Sequence, residues 1–149
     1  MNATIIQEDE ILAKGILSSK YFEDLKRSWQ ELDVVVVGIG GQVDEKNRQW
    51  LDMLTAEDFR TVENEGAVGE ICCRFFDENG ELVDEQLQNR TVAISLDYLK
   101  TVPHSLAFAY GRQKAAAILA VLRAGYVNHL VTDEATILKV LELDNSAVN

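Results

Sequence analysis

Residues 105–141 read SLAFAYGRQKAAAILAVLRAGYVNHLVTDEATILKVL, and the punctuation of this stretch decides the fold. Ser105 to Ala109 is a short apolar run that ends at Tyr110-Gly111. The Ala-rich segment from Arg112 to Arg123 has helical spacing, with Gly125 placed as its C′ residue. His129 to Val131 is a second short run, after which Asp133 is positioned to cap a final helix with apolar positions Ile137, Leu138, Val140 and Leu141. Strand, helix, strand, helix with short connections is a right-handed parallel unit, so this part of the chain is α/β.

Further towards the start, Val34 to Val37 is a β-branched run followed by Gly38-Ile39-Gly40-Gly41, which predicts a fully buried strand and a tight turn. Asp9 to Leu17 has helical spacing, as do Phe22, Leu25, Trp29 and Leu32, the latter set capped by Ser19. Thr55-Ala56-Glu57-Asp58 resembles a capping box and opens a helix that should end near Gly66. Residues 42–54 read as a mobile loop or a short helix. Glu70 to Phe76 and Glu81 to Gln86 flank Asn79-Gly80 and predict a hairpin, with Thr91 to Ile94 as a third strand. Ser95 caps a short helix that Pro103 stops.

The chain has 149 residues, one domain's worth, with a formal net charge of -11. That charge argues against this chain gripping nucleic acid by itself, because phosphate-backbone binding needs a clustered basic footprint. A composition 47% hydrophobic and 26% charged is that of a chain that folds. The two cysteines, Cys72 and Cys73, are adjacent, which makes an ordinary disulfide between them geometrically poor and suits a reducing cytosol. No apolar run approaches membrane-spanning length, so the expectation is a cytoplasmic protein without a membrane partner. Neither a CxxC pair nor a histidine cluster is present, and neither a metal nor a cofactor is expected.

In an open parallel sheet the loops Gly38 to Gly41, Tyr110 to Lys114 and Thr132 to Glu134 share the carboxyl edge, where ligands bind. Arg112 and Lys114 stand in the first turn of a helix, where the dipole already presents positive charge, and an anionic ligand would reconcile that placement. Lys114 is the stronger of the two, because Ala115-Ala116-Ala117 lets the helix pack closely on the sheet; Arg112 is as well explained by extension into water. Glu70, at the start of a strand, can accept hydrogen bonds from hydroxyls or pair with Lys114, or be a solvated edge charge. Gly38 and Gly40 allow either a simple tight turn or direct backbone contact with a ligand, and the third glycine of a dinucleotide motif is missing. Asp133 reads first as a helix cap. His104 and His129 have no Ser or Cys partner in a triad arrangement, and no catalytic residue is assigned.

With those residues in view, the chain resembles the C-terminal effector-binding domain of SorC-type sugar-binding transcriptional regulators. The matching segments are Asp33 to Gly40 (DVVVVGIG), Gly66 to Phe76 (GAVGEICCRFF) with Asp77 to Gly80, Ile94 to Pro103 (ISLDYLKTVP), Gly111 to Leu122 (GRQKAAAILAVL) and Val131 to Ala135 (VTDEA). The resemblance implies a Rossmann-like, mostly parallel sheet with helices on both faces plus a β-hairpin, similar to the glucosamine-6-phosphate isomerase and ribose-phosphate isomerase group. It implies a domain that senses a phosphorylated sugar or related metabolite and controls DNA binding through homo-oligomerisation. An acidic effector contact in the family falls on Glu70 and a lysine contact on Lys114, with Gly38, Gly40, Gly111 and Arg112 in the same loops. Family members also carry a helix-turn-helix and an earlier sheet half. Residues 1–149 are therefore expected to be the C-terminal part of such a domain, with DNA reached only through a DNA-binding domain outside them. Tyr110 stands where the family usually has a second glycine, which would narrow the pocket or change the ligand. The rival expectations are an isomerase or deaminase acting on a sugar phosphate, with Glu70 as base, and a dimerisation fragment without a working pocket.

Overall fold

The computed structural model describes residues 4–43, 50 and 53–146. In chain order the elements are α1 (Glu10–Leu17), α2 (Lys20–Gln30), β1 (Val34–Gly38), α3 (Ala56–Asn64), β2 (Gly69–Ile71), β3 (Arg74–Phe76), α4 (Glu85–Arg90), α5 (Leu96–Thr101), β4 (His104–Phe108), α6 (Ala115–Arg123), β5 (His129–Val131) and α7 (Glu134–Ser146). A 3-10 turn, Arg112–Lys114, leads into α6. The strands β1, β4 and β5 form a parallel sheet in that order, with Val34 opposite His104 and Leu106 opposite His129. An antiparallel pair, β2 with β3, stands apart from it. This is the expected mixed α/β fold, with a parallel sheet, a separate hairpin and flanking helices.

Local chemistry sets the helix starts. Asp9 accepts from the Leu12 N–H at 2.8 Å and Ser19 from the Phe22 N–H at 3.3 Å. Thr55 and Asp58 form a reciprocal capping box, and Ser95 caps α5. Each satisfies a donor that the first helical turn would otherwise leave unpaired. Gly125, at φ 71, ends α6 in the left-handed conformation that a C′ glycine supplies without a Cβ penalty.

Both crossovers, β1 to β4 and β4 to β5, step in the same direction across the sheet, so right-handed connections deliver their helices to the same face. On that face Val35, Val37, Ala107 and Leu130 join Leu96 and Leu99 of α5, Ile118 and Val121 of α6 and Val140 of α7 in the main core. Helical cover is uneven between the two faces. At the alternate positions Val34, Val36, Phe108 and Val131 are 51%, 61%, 51% and 48% exposed. The expected full burial of β1 is thus corrected: a run of valines suits a strand whether one face is covered or two.

A second core gathers Trp50, Phe59, Val62, Phe75 and Leu87 under α3 and α4. The hairpin stands between the cores, with Ile71 and Phe76 in the first and Phe75 in the second. Its position differs from the expected one. The strands turn at Cys72-Cys73, where φ is 54 and 60, a left-handed pair of the kind that two-residue hairpins require. Asn79-Gly80 does make a turn, with Gly80 at φ 81 and its N–H donating to Asp77 O at 3.0 Å, but only an isolated Phe76–Leu82 bridge follows. The predicted return strand is instead occupied in part by α4, because the Asp84 side chain accepts from the Leu87 N–H and starts a helix. Thr91 takes part in one bridge, to Ile6, rather than in a third strand. Most of the stretch 42–54 lies outside the described residues; within it Trp50 O accepts from the N–H groups of Met53 and Leu54. No helix among the described residues is long and apolar enough to cross a membrane.

Candidate functional site

The Gly-rich loop after β1 is clamped from two sides. On one, Gly40 and Glu70 exchange backbone hydrogen bonds: the Gly40 N–H donates to Glu70 O at 2.9 Å and the Glu70 N–H to Gly40 O at 3.2 Å. This tie brings the start of β2 to the end of β1 and requires bare backbone at two positions. A Cβ on Gly40 would collide with the Glu70 carboxylate, and one on Gly69 would lie 2.6 Å from Gly40 O and inside contact distance of Ala117 Cβ. The small residues that open α6 therefore allow the helix, the hairpin and the loop to meet.

The Glu70 carboxylate turns back towards its own hairpin, and Oε2 accepts from the Cys73 N–H at 3.1 Å. Burial pushes its pKa above the ordinary 4.5, against the smaller opposing effects of that hydrogen bond and of the Lys114 charge. The same burial raises both thiols, with the Glu70 charge adding to it, and Cys72 is pushed up to about 11. A raised pKa disfavours the thiolate, the nucleophilic form, at both positions.

Lys114 closes the clamp from the other side. Its N–H donates to Gly111 O at 2.9 Å, which fixes the 3-10 turn, its stem runs beside Gly41, and its ammonium donates to Ile39 O at 2.8 Å. That carbonyl partly offsets the cost of a cation at a helix start. Among the described residues Lys114 and Glu70 make no direct ion pair, but both line a cavity of about 480 Å³ together with Gly38 and Gly40. The remaining wall is largely apolar and includes Trp50, Met53 and Phe108. The volume suits a small metabolite, and a few charged groups in a largely apolar wall are the usual make-up of such sites.

The other predicted residues go elsewhere. Arg112 is exposed and does not line the cavity; the Glu142 carboxyl of α7 is held below its ordinary value by Lys139, with Arg112 a minor contributor. Gly111 gives its N–H to Thr136 Oγ1 at 2.8 Å, so that donor is already in use. Asp133 caps α7 as expected, accepting from the Thr136 N–H at 2.9 Å; those hydrogen bonds from Thr136, backbone first, hold its carboxyl below the ordinary value. Thr132 Oγ1, at the end of β5, is buried and has no hydrogen-bond partner among the described residues. The cavity contributions of Trp50 and Phe108 and the part played by Thr136 escaped the sequence reading; each residue type there reads first as core or helix.

A larger cleft of about 800 Å³ lies between α1, α3 and α4, lined by Glu8, Glu10, Glu57, Glu65 and Glu85 among others. Arg90, the one cation among the described residues that line it, is paired with Asp58 and donates to Gln7 O at 3.1 Å. Such a surface repels an anion, which places the candidate site at the smaller cavity. Among the described residues no group of three or more His, Cys, Asp and Glu is arranged to hold a metal ion.

Comparison with known proteins bears on the same chain. Residues 1–142 match the family model described as "Putative sugar-binding domain". The "Sorbitol operon regulator" of Klebsiella pneumoniae is 32% identical over 129 residues, 87% of this chain and 41% of that protein. "Transcriptional regulator LsrR" of Escherichia coli K12 is 32% identical over 133 residues, 87% of this chain and 42% of that one. Among solved structures, a transcriptional regulator from Streptococcus pneumoniae TIGR4 superposes with a TM-score of 0.92 at 60% identity, over 97% of this chain and 55% of that one. The chain thus spans about two fifths of these curated relatives and about half of the solved one. On the family match and these relatives, the chain belongs to the sugar-binding domain family of SorC-type transcriptional regulators.

Proposed function

We propose that this chain is the C-terminal part of the effector-binding domain of a sugar-responsive transcriptional regulator, and that it binds a phosphorylated sugar in the cavity between Glu70, Lys114 and the Gly38 to Gly41 loop. The observation that carries the reading is the clamp itself: a half-buried carboxylate and an ammonium, brought from distant segments to one Gly-rich loop. Glu70 reads hydroxyls, since a carboxylate offers several acceptor sites to adjacent O–H groups. Lys114 supplies positive charge towards the anionic end. The apolar wall takes the C–H faces of the sugar. Gly38 and Gly40 let the ligand approach the backbone, while Gly111 and Arg112 support the loop that carries Lys114.

The net charge of -11 points to DNA contacts made by a separate DNA-binding domain. Effector binding would act on DNA binding through the assembly state of a homo-oligomer, which requires the sugar phosphate to bind one assembly more tightly than another. An isomerase-like reaction at Glu70 would need a positioned acid besides the base, and among the described residues that line the cavity Glu70 is the one carboxylate. The reading as a sensor is therefore preferred to the reading as an enzyme.

The test is thermal unfolding of the chain with hexose and pentose phosphates beside their unphosphorylated parents, on wild type and Lys114→Ala. A ligand that binds only the folded state raises the transition temperature, by about 2.7 kcal/mol of stabilisation at a hundred times its Kd. A phosphate-dependent rise that is lost in the variant is expected. No rise with any compound, or product formation from a bound sugar phosphate, would reject the sensor reading.

A further inference from the structure

The turn that carries Lys114 is held from α7. The Gly111 N–H donates to Thr136 Oγ1 at 2.8 Å, and the same hydroxyl donates to Asp133 Oδ2 at 2.8 Å. The Thr136 side chain is thus used both as acceptor and as donor, and the residue is 0% exposed. Gly111 stands at φ 105 and ψ 124, in a region that residues with a side chain rarely enter. From Gly111 the connection continues through its carbonyl, which accepts from the Lys114 N–H, to the Lys114 ammonium on Ile39 O.

The Thr136 hydroxyl, at 2.8 Å, therefore holds the peptide that begins the turn, with the Asp133 carboxylate as a weaker second acceptor for the same Gly111 N–H, and the turn ends on the lysine. A partly buried backbone N–H that loses its main partner has reason to rotate towards another acceptor, here the Asp133 carboxylate. With Gly111 free to turn, the 3-10 turn loses its anchor, and the ammonium loses its defined place at the cavity wall.

We propose that Thr136 is a positioning residue for effector recognition: through the Gly111 peptide it sets where the Lys114 ammonium sits. The proposal rests on the reading of Lys114 as an effector contact, but the geometry that it asserts is present without any effector. It also places the first turn of α7 in mechanical series with the site, so that a ligand drawing Lys114 away from Ile39 loads the Thr136 hydrogen bond.

The experiment compares wild type, Thr136→Val, which keeps the shape and removes the hydroxyl, and Thr136→Ser, which keeps the hydroxyl. Two readouts are taken on the full chain. The first needs no ligand: the rate at which a water-soluble acetylating reagent modifies Lys114, referred to the exposed Lys20 in the same sample by peptide mass analysis. In Thr136→Val, with a cooperative melt and unchanged far-UV circular dichroism, Lys114 should react at least about threefold faster, and in Thr136→Ser within about twofold of wild type, as expected for loss or retention of one buried hydrogen bond. The second is the affinity for whichever sugar phosphate stabilises wild type, expected to fall at least about tenfold in Thr136→Val and to recover in Thr136→Ser. Should Thr136→Val fail to fold, Asp133→Asn retains the helix cap, removes the acceptor of the Thr136 hydroxyl, and is expected to raise Lys114 reactivity in the same assay. Unchanged reactivity in the folded variants, or equal damage from Val and Ser, overturns the proposal. A wild type that binds no sugar phosphate would count against the proposed function alone, since the acetylation rates still decide whether Thr136 positions Lys114.

Discussion

The ammonium of Lys114 lies 2.8 Å from the carbonyl oxygen of Ile39, 75 residues earlier in the chain, and ties the loop after β4 to the loop after β1. A hydrogen bond from a charged donor is worth more than a neutral one, and here the acceptor belongs to a residue that is 1% exposed. Lys114→Met keeps most of the stem and removes the donor. It is expected to lower stability by about 1–2 kcal/mol, read as a shift of the urea midpoint at unchanged slope. A midpoint equal to wild type would mean that the contact does not hold the loops together in solution.

Glu70 makes the stability depend on pH in an unusual sense. Its folded-state pKa is raised, chiefly by burial, so above 4.5 the unfolded chain gives up this proton before the folded chain does. The contribution of Glu70 to stability is fully present below 4.5 and is lost as pH rises through the folded value. Glu70→Gln keeps an acceptor for the Cys73 N–H and cannot ionise. Its melting temperature should exceed that of wild type at neutral pH, and the gap should close as pH falls to the ordinary carboxylate range. A gap that widens on acidification would reverse the assignment.

Two glycines of the clamp differ in what a methyl group would meet. At Gly69 the obstacles are the Gly40 carbonyl, at 2.6 Å, and the Ala117 methyl, neither of which has a free torsion to yield. Gly69→Ala should cost about 1–3 kcal/mol or more. At Gly40 the obstacle is the Glu70 side chain, which can swing away. Gly40→Ala should therefore stay folded, lose only about 1 kcal/mol with the Cys73 hydrogen bond, and still lose the response to ligand. Chemical denaturation and ligand-induced stabilisation, measured together, separate the two.

With its pKa at about 11, the Cys72 thiol is almost wholly protonated in the folded chain near neutrality. At pH 8 iodoacetamide should alkylate it on the order of 10- to 100-fold more slowly than a free thiol, with the difference abolished in denaturant. Peptide mapping assigns the two neighbouring cysteines. Fast native-state alkylation of Cys72 would show that the turn opens readily.

The C-terminal unit was legible because its signals are local: Gly125 at the end of α6, Asp133 before α7, apolar strands of the right length between them. That Lys114 and Glu70 would meet at the loop after β1 was legible for a related reason, since strand ends and a helix start are positions that a chain of known element order supplies. Burial of β1 was not. Four valines in a row satisfy strand preference alike with one face covered or two, and which applies depends on the direction in which distant crossovers step across the sheet. The hairpin was misplaced because Asn79-Gly80 has the stronger turn chemistry, while Cys72-Cys73, neither residue favoured at positive φ, is held there by the packing of Ile71, Phe75 and Phe76 into two cores. Arg112 and Thr136 show the same limit at the site. Arg112 shares the loop of Lys114 yet does not line the cavity, and Thr136 looked like an ordinary helix residue yet holds the Gly111 peptide, 25 residues away.

The central claim is that one small anionic sugar is read at the clamp. Amide chemical shifts of the isotopically labelled chain, followed by NMR during titration with the sugar phosphate that raises its melting temperature most, test this directly. The account predicts that the largest changes fall together in Gly38 to Gly41, Glu70 to Cys73 and Gly111 to Lys114, and that they vanish in Lys114→Ala. Changes centred on the acidic cleft of α1, α3 and α4, with those three segments undisturbed, would contradict it.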